Sequence, residues 1–66
     1  MLNDPDILRA ARLLVTQHGA DAAAAAFRRA ERLLEDGDIE GTMVWTRVAA
    51  AVEALRLGPQ RVPQVH

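Results

Sequence analysis

The sequence predicts an all-α domain: a three-helix antiparallel bundle with short Gly/Asp turns and a flexible C-terminal tail. Three observations predict it. Aspartate and glycine punctuate the chain at helix-length intervals, the apolar residues between them fall into stripes of helical period, and the run Ala22–Ala26 is a strong helix former. The third helix is expected to lie centrally.

Each element has its own start and stop. Asp4 before Pro5 reads as an N-cap with proline at the first helical position, and Asp6 adds negative charge in the first turn. The first helix is expected over 5–18, ending at His18, where Gly19 supplies a left-handed stop. Asp21 is expected to cap a second helix that runs through the alanine tract to Asp36 and stops at Gly37. Asp38 then caps a third, which reaches Leu57 ahead of Gly58 and Pro59. One domain, 1–58, results. Residues 59–66 carry two prolines, Pro59 and Pro63, with no periodicity, and are expected to form the tail.

Helical projection sorts the side chains. In the first helix Ile7, Leu8, Ala10, Ala11, Leu14, Val15 and His18 share a face, Arg9, Arg12 and Thr16 oppose it, and Leu13 sits off the stripe. In the second, Ala23, Ala26, Phe27, Ala30, Leu33 and Leu34 form an apolar arc. The third differs. Its main face is Val44, Val48, Ala51, Val52 and Leu55, with Trp45 at the edge, yet its back also carries Ile39, Met43, Ala50, Ala54 and Leu57. A helix apolar nearly all round is usually covered on more than one side. Two neighbouring helices do not cover both, so Met43, Ala50, Ala54 and Leu57 are the candidate interface, and a homodimer is expected.

Composition narrows the classes of function. Half of the 66 residues are apolar, but 13 of those are alanine, which leaves too few large side chains for an enclosed active site. Eight arginines, no lysine and nine carboxylates give a net charge of −1, without the surplus that sequence-independent nucleic-acid binding draws on. The absence of cysteine removes disulfides, thiolate zinc sites and a cysteine nucleophile. The N-terminus is acidic and soon polar, with no secretory signal, and no apolar run approaches the ~20 residues that span a bilayer. A cytoplasmic location is therefore expected.

Four features invite a sharper reading. Asp36-Gly37-Asp38-Ile39-Glu40-Gly41 spaces its acids and glycine like the first half of a calcium loop, but the twelfth position, which needs a bidentate glutamate, is Arg47. A tight turn is the better reading. His18 falls on an apolar face at a helix end, where partial burial with one hydrogen bond is expected, and it has no second ligand or nucleophile nearby in sequence. Trp45 and Phe27 are expected in the core, with an interface anchor the rival for Trp45. The pairs Asp6–Arg9, Arg28–Glu31, Arg32–Glu35, Arg32–Asp36 and Glu53–Arg56 have helical ion-pair spacing. Arg12, Arg29 and Arg47 lack such a partner and are the candidate partner-binding residues. A helix carrying Arg28, Arg29 and Arg32 after a short turn also suits a helix-turn-helix reader, although Glu31, Glu35 and Asp36 would repel phosphates.

The segments Ala10-Ala-Arg-Leu-Leu, Gln17-His-Gly, Arg29-Ala-Glu-Arg-Leu-Leu, Gly37-Asp-Ile-Glu-Gly, Val44-Trp-Thr-Arg and Ala51-Val-Glu-Ala-Leu resemble a family of very short alphaproteobacterial helical proteins. The resemblance covers residues 6–57, and its most specific piece is the Gly-Asp-x-x-Gly turn before Val-Trp-x-Arg. It implies a bacterial cytosolic context and, since the family has no assigned activity, no catalytic residues. The expectation is a helical interaction module, with no enzymatic activity, no cofactor and no metal, acting through homodimerisation and a protein partner. A small nucleic-acid-binding regulator is the alternative.

Overall fold

The computed structural model describes residues 4–57. These form α1 (Asp4–His18), a 3-10 turn (Gly19–Asp21), α2 (Ala22–Glu35) and α3 (Ile39–Leu57), with no strand among them. The expected tail, 59–66, lies outside the described residues. Helix follows helix without an intervening loop from Asp4 to Glu35, so the chain makes two helical runs, 4–35 and 39–57, in place of three helices parted by loops. The cause is Gly19. At φ +58° it breaks the α-helical hydrogen-bond pattern within one residue, and the 3-10 turn takes up the next three positions without a loop.

The two aspartates expected as caps part company here. Asp21 makes no capping hydrogen bond, and the 3-10 turn ahead of α2 closes with Ala22 N–H donating to the Gly19 carbonyl. Its carboxylate takes Arg28 instead, at 3.3 Å. Asp38 does cap: its Oδ1 accepts from Gly41 N–H at 2.8 Å, and its carbonyl accepts from Thr42 N–H at 3.0 Å. Gly37 sits at φ +83°. Its N–H donates to Leu34 O at 3.0 Å while Asp38 N–H donates to Leu33 O at 2.9 Å, the paired bonds of a Schellman ending. From Ile39 onward the segment that resembles a calcium loop is α-helix.

The turn sets a register. It brings α3 back along α2 with Trp45 opposite Arg29 and Thr42 beside Ala30. Two observations fix it. The Arg29 guanidinium carbon lies 4.8 Å from the centroid of the Trp45 ring, and Thr42 Oγ1 reaches across to Ala30 O at 3.4 Å while donating to Asp38 O at 2.7 Å. Helix α3 packs against both other helices, most extensively against α2.

The core is built of small side chains. Ile7, Ala11, Ala22, Ala23, Ala26, Val48, Ala49 and Val52 form its buried cluster, and among the described residues none larger than valine is fully buried. Ala10, Leu14, Val15, Val44, Trp45, Ala51 and Leu55 pack around it, half-buried. The expected burial of Phe27 does not occur: it is 49% exposed, and Leu34 on the same edge of α2 is 54% exposed. The reason is geometric. Alanine at 22, 23, 26 and 30 lets α2 settle close on α3, so the seam is filled by backbone and methyl groups, and rings at its margin are pushed outward. His18 is exposed rather than partly buried, since α1 ends there and the chain turns away.

Two glycine substitutions test the turn. A Cβ at Gly37 meets nothing within 4 Å, so Gly37→Ala should cost about 1 kcal/mol from the positive φ alone, and Gly37→Asn less. At Gly41 the helix interior favours alanine by about 1 kcal/mol. A Cβ there would stand 2.6 Å from Asp38 Oδ2, so Gly41→Ala should displace the cap and come out destabilising. Urea titration followed by circular dichroism measures both.

Candidate functional site

Two surfaces stand out, one apolar and one basic. The first is the back of α3. Ile39, Met43 and Leu57 are 58%, 60% and 65% exposed, and Ala50 and Ala54 are exposed between them. At ~100° per residue they occupy the arc opposite Val48 and Val52, the two residues that α3 buries most deeply. All four candidate interface residues thus lie in one row on the solvent side of a helix whose other side is already packed.

The second surface was only partly visible in the sequence. Ala25, Arg28, Arg29, Arg32, Leu33 and Trp45 line an open depression of about 660 Å³ between α2 and α3. Of the three unpaired arginines, only Arg29 belongs to it; Arg12 on α1 and Arg47 on α3 are exposed elsewhere. Arg28 and Arg32, expected as ordinary solvated surface paired along the helix, are the other two. The expected Asp6–Arg9 pair is present at 3.5 Å, but Arg28 pairs with Asp21 at 3.3 Å in place of Glu31. The Gly37 register was the signal that could have found the site, because it carries Trp45 across to the arginine arc of α2.

Each lining residue is held by a nameable cause. Trp45 flanks the core cluster, half-buried, and presents a ring face on which the Arg29 guanidinium lies. A cation over a ring face keeps its N–H groups available, and Arg29 is exposed, so a planar oxygen pair can meet them. Arg28 is anchored by Asp21 but remains exposed, and Arg32, one helical turn further on, makes no ion pair among the described residues. Leu33 and Ala25 add apolar area, and no carboxylate belongs to the lining. The arrangement offers forked donors over an apolar floor, which suits an anion carrying carbon as well as charge. It presents no nucleophile or general base.

No group of three or more acidic, histidine or cysteine side chains is placed to hold a metal among the described residues, and no helix there is long and apolar enough to cross a membrane. Comparison of the chain with family models, with curated proteins and with solved structures found no match.

The stacking is directly observable, since Trp45 is the sole tryptophan. Arg29→Ala should bare the ring face and move its emission to longer wavelength. The loss of stability should stay near 0.5–1 kcal/mol, as for other exposed cation–π pairs. Fluorescence under selective tryptophan excitation and a urea titration read the two effects.

Proposed function

We propose that the chain is a small helical interaction module that pairs with a second copy of itself through the back of α3. The observation that carries this is the placement of Ile39, Met43 and Leu57: large apolar side chains in water, over a core made of alanine and valine. Self-complementarity supports the choice of a second copy. The midpoints of Ile39 with Leu57 and of Met43 with Ala54 both fall beside Val48. Two α3 helices crossing antiparallel about a two-fold axis there would set Ile39 against Leu57 and the long Met43 against the small Ala54. Ala50 would lie near the axis, allowing close approach.

The row is one helix wide and 19 residues long, about 28 Å at ~1.5 Å per residue. That is a smaller footprint than the ~800 Å² per partner of a standard interface, so pairing in the micromolar range is expected. The rival reading, a nucleic-acid-binding regulator, draws support from the convergence of Arg28, Arg29 and Arg32. Against it stand the net charge of −1 and the position of Arg12, outside that cluster.

Sedimentation at tens of micromolar tests the proposal. The unaltered protein should run as a dimer, and Ala50→Glu should shift it to monomer by setting two carboxylates near the axis. Ala24→Glu, also at an exposed site but on α2, should leave the dimer intact. Circular dichroism of both variants establishes that the helices persist. A monomeric unaltered protein, or a dimer indifferent to Ala50→Glu, would refute this interface.

A further inference from the structure

The depression between α2 and α3 shares none of its residues with the row on the back of α3, and it calls for a different kind of occupant. We infer that it is a docking site for a short acidic segment of a partner protein, one that carries an aliphatic side chain between its carboxylates. The argument is charge and shape together. Arg28, Arg29 and Arg32 stand within two turns of one helix, and no carboxylate shares the lining with them. The Arg29 guanidinium carbon lies over the Trp45 ring, 4.8 Å from its centroid, and this contact restricts the side chain before any ligand arrives. Arg32 makes no ion pair among the described residues, and Arg28 spends one amine on Asp21. Two or three carboxylates spaced by one helical turn or by alternate residues of an extended strand reach these groups.

The floor decides between an acidic peptide and a phosphate polymer. Trp45, Leu33 and Ala25 form an apolar surface, which an aliphatic side chain can cover and a phosphate backbone cannot. A nucleobase would compete with Arg29 for the Trp45 face on which the guanidinium already lies. Glu31 and Glu35 alternate with the arginines along α2 and repel a polyanion extending past the depression, while a segment of a few residues ends before meeting them. The volume, about 660 Å³, suits two or three side chains.

Trp45 fluorescence reports occupancy directly. The probe is a capped octapeptide of six glutamates around two leucines, titrated into the full chain at low and at moderate salt. A saturable emission change is expected, weakened at higher salt. Arg29→Gln or Arg32→Gln alone should reduce affinity about fivefold, and the pair together more than tenfold, as charge-assisted hydrogen bonds are lost. Glu31→Gln should leave binding equal or tighter, which a general loss of structure would not produce. Three results would overturn the inference: no saturable change, a peptide of six lysines around two leucines binding equally well, or a single-stranded oligonucleotide of eight residues binding more tightly than the acidic peptide. The titration is read at Trp45 in the Ala50→Glu variant as well, so that a failure of the α3 pairing and a failure of this site give separate outcomes.

Discussion

The distance between α2 and α3 is set by alanine, and most of the structure follows from that one spacing. Ala22, Ala23, Ala26 and Ala30 present nothing longer than a methyl group, so α3 approaches until Val48, Ala49 and Val52 fill the seam. Close approach gains dispersion from backbone atoms that a leucine-filled core would hold apart. It also has a cost. There is no room inside for Phe27 or Leu34, and apolar area that a larger core would enclose is left on the outside.

The same spacing shapes the charged surface. With the two helices close, Trp45 stands against α2 at the height of Arg29 and gives the guanidinium a face to rest on. Arg28 finds Asp21, which makes no capping hydrogen bond to α2. Three arginines therefore line one depression, with no carboxylate of α2 among its lining residues. The molecule is nearly neutral in sum and uneven in distribution, which bears on partner choice more than its net charge does.

Much of the helical content was legible because it is local. Gly37, Asp38 and the alanine tract act within four or five residues, and their boundaries hold to within a residue or two. The exposed back of α3 was legible too, since the pattern of Ile39, Met43, Ala50, Ala54 and Leu57 has nothing to do with distant residues. What the sequence hid was non-local. The fate of Phe27 depended on how near α3 comes, and Asp21 pairs with Arg28 without capping α2. Arg28 and Arg32 looked like members of helical ion pairs, because one helix read alone cannot show which tryptophan will face it. A hairpin register counted outward from Gly37 contains that information, provided the turn is known to be tight.

The Schellman ending at Gly37 also bears on how such a chain can vary in descent. The contacts of Trp45 with Arg29 and of Thr42 with Ala30 both span that turn, and each residue of an α-helix advances the side chains by about 100°. A single codon inserted between Leu33 and Asp38 would rotate α3 against α2 by roughly that angle unless the turn absorbed it. Val48 and Val52 would leave the seam together, and Trp45 would leave the arginines in the same event. Substitutions can therefore accumulate on the outer faces one at a time, whereas a change of length in this turn acts on core and basic surface at once. Among descendants of this chain, the spacing from Arg29 to Trp45 should be the slowest property to drift, slower than the identity of either residue.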